Sequence, residues 1–208
     1  MVARLKKKKW RVETYDVSGI GTAKSLAELV SALARPRIIW IMVPSGRPVD
    51  TVITGLAEYL QKGDVVIDGG NSFYENSLKR GKKLKKKGIF FLDVGVSGGP
   101  GTVRDGKPAI MVGGEMRVFK KVEPLFRTLT RKESFGYMGN SGAGHFVKMV
   151  HNGIEYGIMQ ALAEGFTIMK KAPFGLDLEE IARVYDNGSV IESRLTGWMK
   201  SGYKKYGQ

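Results

Sequence analysis

The sequence contains no cysteine, which excludes a disulfide framework, a thiol nucleophile and a thiolate metal site. Its two histidines, His145 and His151, are too few for a histidine-based zinc centre. Long apolar runs are missing too. The longest, Ile38 to Pro44, falls far short of the roughly 20 residues that a membrane-spanning helix needs. The basic stretch Met1–Lys9 lacks the apolar segment of a signal peptide. These absences lead us to expect a cytoplasmic chain with no membrane partner. Acidic residues are scarce against basic ones, 20 to 34, giving a net charge of +14. Lysines cluster at 6–9 and from 82 to 87, and no aromatic is interleaved in the second cluster to stack on bases. A solvated helix face accounts for that cluster, so nucleic acid is not an expected partner. The charge does favour anionic ligands, phosphates included.

What is present is a chain of 208 residues, 42% apolar, with 28 glycines spread between apolar runs. That distribution suits tight strand-to-helix turns and a real core. Met1–Lys9 reads as the last turns of a helix, and Trp10–Tyr15 as a strand with Asp16 at its end. Ser25–Ala34 is helical, with Ser25 and Glu28 as a capping box. Strands are expected at Arg37–Val43, Asp64–Asp68, Ile89–Val94 and Pro108–Val112, and helices at Val49–Gln61, Tyr74–Lys87 and Glu115–Thr130. From Gly142 the pattern is purely helical, with a long helix over Ala143–Lys171 and shorter ones at Asp177–Tyr185 and Val190–Lys200. Strands alternating with helices imply βαβ units and a parallel, Rossmann-like sheet. The expected organisation is an incomplete dinucleotide-binding domain over residues 1–141 and the start of an all-helical domain over 142–208.

On the long helix, Lys148, His151, Asn152 and Glu155 fall at i, i+3, i+4 and i+7, which is one face. Its other sides are largely apolar (Val147, Val150, Ile154, Ile158, Leu162), as in a buried helix. Lys148 and Glu155 lie two turns apart, about 10 Å along the axis. That spacing suits two groups acting at different ends of one small polar molecule. A lysine away from water can take a proton from a hydroxyl at neutral pH, and a carboxylic acid can return one. A solvated face or a paired buried cluster would give the same four residues.

Ligands of an open parallel sheet gather at the strands' carboxyl ends, where this sequence places Asp16-Val17-Ser18, Pro44-Ser45-Gly46, Asn71-Ser72 and Ser97-Gly98-Gly99. An acid in the place of Asp16 would bind the ribose hydroxyls of NAD and repel the 2′-phosphate of NADP. The Gly-x-Gly-x-x-Gly turn expected about 20 residues before such an acid is not in the sequence, and Gly19-Ile20-Gly21 follows the acid. The first strand and its phosphate-gripping turn therefore read as missing.

Asp68-Gly-Gly-Asn71, Asp93-Val-Gly-Val-Ser-Gly-Gly99, Met111-Val-Gly-Gly114 and His145-Phe-Val-Lys-Met-Val-His-Asn-Gly-Ile-Glu-Tyr156 closely resemble the decarboxylating 6-phosphogluconate dehydrogenase family. The His151-Asn152 pair separates the chain from broader β-hydroxyacid dehydrogenases, which usually carry Asn-Asn there. The resemblance implies oxidative decarboxylation of 6-phosphogluconate to ribulose 5-phosphate and CO₂, with no metal. It makes Lys148 the general base for the 3-hydroxyl and Glu155 the acid that protonates C1 of the enediol. It assigns Ser97, Gly98, Gly99, His151 and Asn152 to the substrate, Tyr156 to its phosphate, and Asn71 to both cofactor and sugar. Val43, Pro44 and Ser45 match the loop beside the dinucleotide. Tyr15–Ser18 resembles the NAD-preferring branch, so NAD is expected ahead of NADP. A homo-oligomer, dimer or tetramer, is implied, and the chain reads as truncated at both ends, with weak or no activity alone. Two alternatives stay open on sequence: a β-hydroxyacid dehydrogenase for an unphosphorylated acid, and a non-catalytic basic remnant.

Overall fold

The computed structural model describes residues 1–207; Gln208, the last residue of the expected helical domain, lies outside the described residues. The chain divides into two compact units, Met1–Val150 and His151–Gln208. The division falls inside the long helix rather than at its start.

The first unit is built on a five-stranded sheet in the order β1-β2-β3-β4-β5. The strands are β1 (Ile38–Ile41), β2 (Val65–Asp68), β3 (Phe90–Ser97), β4 (Ala109–Gly114) and β5 (Phe135–Gly139). Helices α1 (Val2–Lys7), α2 (Leu26–Ser31), α3 (Arg47–Leu56), α4 (Tyr74–Lys85), α5 (Pro100–Arg104) and α6 (Met116–Leu129) surround it. All four residues of β2 are buried, as a parallel strand covered on both faces must be. Side chains alternate across a strand, and the core divides accordingly. Val65, Ile67, Leu92, Val94, Ile110 and Val112 pack with α6 residues such as Phe126 on one face. Ile39, Ile41, Val66 and Phe91 pack with Val49, Ile53 and Leu56 of α3 on the other.

Three expectations need correction. The sheet is not wholly parallel, because β4 runs antiparallel to β3, with Ser97 opposite Ala109. The two are joined through the short α5, and only an antiparallel pair can be linked without a long crossover. Trp10–Tyr15 is not a strand. No strand pairs with it; Thr14 instead exchanges hydrogen bonds with Thr22 through their hydroxyls, and the Trp10 indole donates to Thr128 Oγ1 at 3.2 Å. The capping box at α2 is also shifted: Ser25 Oγ accepts from Glu28 N, but the Glu28 carboxylate accepts from Lys24 N at 2.7 Å.

The long helix α7 (Ala143–Lys171) runs where the sequence places it. In the second unit α7 continues with α8 (Leu178–Tyr185) and α9 (Arg194–Tyr206) around Phe166, Leu178 and Ala182. The expectation of a helix buried on nearly all sides fails here. Ile154 is 60% exposed and Ile168 70%, since α8 and α9 pack near Phe166, the one buried position of α7 beyond His151 among the described residues. No described helix is long and apolar enough to cross a membrane.

Candidate active site

The carboxyl ends of β1, β2 and β3 carry the loops that the sequence singles out. β1 leads into Val43, Pro44 and Ser45, of which Val43 is half-buried and the other two exposed. β2 leads through Gly69 and Gly70 to an exposed Asn71. The two loops approach closely: a Cβ on Gly70 would sit 3.2 Å from the Val43 carbonyl oxygen. Glycine at this position lets the two loop backbones pack this closely. Val43 and Gly70, the neighbour of Asn71, are thus brought together. Ser97 ends β3, and Gly98 and Gly99 form the turn into α5.

Lys148 reaches the same strand from α7. It is buried, at 9% exposure, and its stem lies on Gly95, where a Cβ would be 2.4 Å from Lys148 Cβ. The helix is held there by Asp93, a fully buried carboxylate that sequence reasoning gave no role. Its Oδ1 accepts from Gly142 N at 2.6 Å and its Oδ2 from His145 N at 3.0 Å. A negative group at a helix N-terminus satisfies free N–H groups and complements the macrodipole. The His145 ring is buried as well, with Nδ1 2.7 Å from Ser77 Oγ of α4. The signal for Asp93 was present, as an acid in the middle of an apolar strand. Burial with paired N–H groups is the usual way such an acid is tolerated.

His151, Asn152, Glu155 and Tyr156 belong to the second unit. His151 Nδ1 lies 3.3 Å from Asn152 Oδ1 and 3.5 Å from Glu155 Oε2, so the i, i+1 and i+4 side chains form one polar cluster. Tyr156 is 68% exposed. Asp16, by contrast, sits on an exposed turn and not at a strand end. Its carboxyl lies below the ordinary value because it accepts from the Ser18 hydroxyl and, at 2.8 Å, from Ser18 N–H.

The lysines between 82 and 87 fasten α4 to its neighbours. Lys83 Nζ donates to Thr54 Oγ1 and Lys87 Nζ to the Ala57 carbonyl, while Lys85 lies 3.6 Å from Glu115.

A mostly parallel α/β sheet followed by a helical unit is a Rossmann-like architecture of the kind that binds dinucleotides. The chain matches the model of the NAD binding domain of 6-phosphogluconate dehydrogenase over residues 1–139, and that of the 6-phosphogluconate dehydrogenase C-terminal domain over 144–187. It belongs to the 6-phosphogluconate dehydrogenase family. A Haloferax volcanii relative named as an NAD(+)-dependent, decarboxylating 6-phosphogluconate dehydrogenase is 40% identical over 191 residues, covering 91% of this chain and 62% of the relative. A Schizosaccharomyces pombe decarboxylating 6-phosphogluconate dehydrogenase is 46% identical over 180 residues, covering 83% of this chain and 36% of its own length. The chain therefore spans between about a third and two thirds of these curated relatives. Among solved structures, the Plasmodium falciparum 6-phosphogluconate dehydrogenase, described with its cofactor NADP+ and its substrate 6-phosphogluconate, superposes with a TM-score of 0.76. It is 32% identical, covering 94% of this chain and 42% of that one.

Proposed function

We propose that this chain carries the catalytic residues for oxidative decarboxylation of 6-phosphogluconate to ribulose 5-phosphate and CO₂, with NAD as the hydride acceptor. The observation that carries the reading is Lys148: a buried lysine whose stem lies against β3 two residues before Ser97.

The loops after β1 and β2, whose backbones approach at Val43 and Gly70, lie at the carboxyl ends of the strands, where dinucleotides bind in such sheets. Val43, Pro44, Ser45 and Asn71 would hold the cofactor there, with Asp16 toward its ribose. Bound NAD supplies the acceptor for the hydride from C3. Lys148 takes the proton of the 3-hydroxyl as that hydride leaves. The resulting β-keto acid loses CO₂, and the Lys148 ammonium, beside the new carbonyl, stabilises the electrons left behind. Glu155 donates a proton to C1 of the enediol. Ser97, Gly98, Gly99, His151 and Asn152 orient the sugar acid, and Tyr156 takes its phosphate. The i, i+7 spacing of Lys148 and Glu155 in the sequence suits action on different atoms of one substrate. We also assign the chain to a homo-oligomer, dimer or tetramer, in the cytoplasm. The exposed apolar side chains of α7 support the assembly.

Substrate profiling tests the reading. Nicotinamide reduction is expected with 6-phosphogluconate and not with gluconate, and faster with NAD than with NADP. Equal rates with gluconate and its 6-phosphate would assign the chain to unphosphorylated acids instead.

A further inference from the structure

Arg80 of α4 is a buried cation that the reaction does not use. It is 4% exposed, and each of its three guanidinium nitrogens has a partner. Nε donates to Asp50 Oδ1 at 2.7 Å, Nη1 to Asp68 Oδ2 at 3.1 Å, and Nη2 to the Gly46 carbonyl at 3.1 Å. Gly46 closes the Pro44–Ser45 loop after β1 and is the N-cap of α3. Asp68 ends β2 and holds the next loop: its Oδ1 accepts from Gly70 N at 3.2 Å, and its Oδ2 from Ser72 Oγ at 2.8 Å. One planar group therefore bonds to the loop after β1 and to the carboxylate that holds the loop after β2.

We propose that Arg80 is a positioning residue that locks the β1 and β2 loops together, so that cofactor and sugar acid bind cooperatively. The proposal rests on the functional reading above for what the loops bind, but not for the brace itself. A guanidinium presents donors in a fixed fork, whereas an ammonium is a point charge on a flexible stem. Lysine at this position cannot hold all three acceptors in one geometry. Loss of the cation also leaves Asp68, which is fully buried, as a carboxylate without a counter-charge, and such groups rearrange toward water. The loop over 69–72 would move with it. A ligand that orders one loop thereby lowers the cost of ordering the other, and this coupling is reciprocal.

Hydrogen exchange followed by mass spectrometry reads the brace directly in the full chain. In Arg80→Lys, peptides covering 44–49 and 69–73 should both exchange at least roughly tenfold faster, with β3 unchanged. Arg80→Gln should do the same, and Asp50→Asn, which removes the half-exposed partner alone, should perturb the first loop more than the second. Titration of NADH with and without 6-phosphogluconate reads the coupling. In the parent each ligand tightens the other, and in Arg80→Lys the two affinities become independent. Faster exchange in one loop only, or in neither, overturns the brace, as does unfolding of β3 along with the loops in both Arg80 variants. Coupling that survives in Arg80→Lys overturns the cooperativity. A parent that binds neither ligand would refute both the functional reading and the cooperativity, and the exchange rates would still decide the brace.

Discussion

At the scale of single residues, buried carboxylates do much of the organising. Asp64 is fully buried and joins its own turn to Arg37, before β1. It accepts from Arg37 N at 2.8 Å, Gln61 N at 2.9 Å and the Arg37 guanidinium at 3.0 Å. Burial alone would raise its carboxyl, but these hydrogen bonds together hold it below the ordinary value. A folded value below the unfolded one means that the group stabilises above the ordinary carboxylate range. That contribution is lost as pH falls through the lowered value. We predict that below about pH 4 the urea midpoint of the parent drops more steeply than that of Asp64→Asn. Parallel slopes in the two proteins would contradict the assignment. Such roles were hidden in the sequence. Asp64, Asp68 and Asp93 read there as strand ends or as part of a motif. Their hydrogen bonds join residues distant in the chain, such as Asp93 with Gly142.

At the scale of elements, the docking of α7 on the sheet fixes where Lys148 can sit. A Cβ on Gly144 would lie 2.3 Å from the Asp93 carbonyl oxygen, 2.6 Å from that of Met111 and 2.7 Å from Gly113 N. All three are backbone atoms and cannot swing aside. Gly144→Ala should therefore cost about 3 kcal/mol, the upper range of overpacking. Gly157→Ala, on the same helix with nothing within 4 Å, should stabilise by up to about 1 kcal/mol. Thermal or urea unfolding of the pair checks both signs, and a neutral Gly144→Ala would mean that the helix can stand off the sheet. Most elements were legible because their signals are local: β2 as a short apolar run, α6 by its period, α7 by its length. β5 was missed because Phe135–Gly139 is only partly buried and carries two glycines, so neither alternation nor an apolar run marks it. The antiparallel turn of β4 was missed because strand direction depends on the connection, and α5 is too short to show a period. Trp10–Tyr15 has the composition of a strand, but a strand exists only with a partner beside it.

At the scale of the whole molecule, the two compact units differ in how well they cover their apolar side chains. The first surrounds its sheet on both faces. The second leaves Ile154, Ile158, Ile168 and Trp198 exposed, more than scattered surface residues would explain. We predict concentration-dependent association by light scattering, reduced in Ile154→Glu combined with Ile168→Glu. A monodisperse monomer across the accessible concentrations would contradict it. The proposed functional residues were legible in the sequence as four polar residues at helical spacing. The burial of Lys148 against β3, on which the proposed chemistry rests, is a tertiary contact that no pattern in the sequence could supply.

The central claim concerns that lysine. The most direct test follows reduced nicotinamide at 340 nm with 6-phosphogluconate and NAD, comparing the parent with Lys148→Met. Removal of the general base should lower turnover about 10²–10⁴-fold and leave the thermal midpoint within a few degrees, with ribulose 5-phosphate formed by the parent alone. Turnover that survives in Lys148→Met would contradict the account.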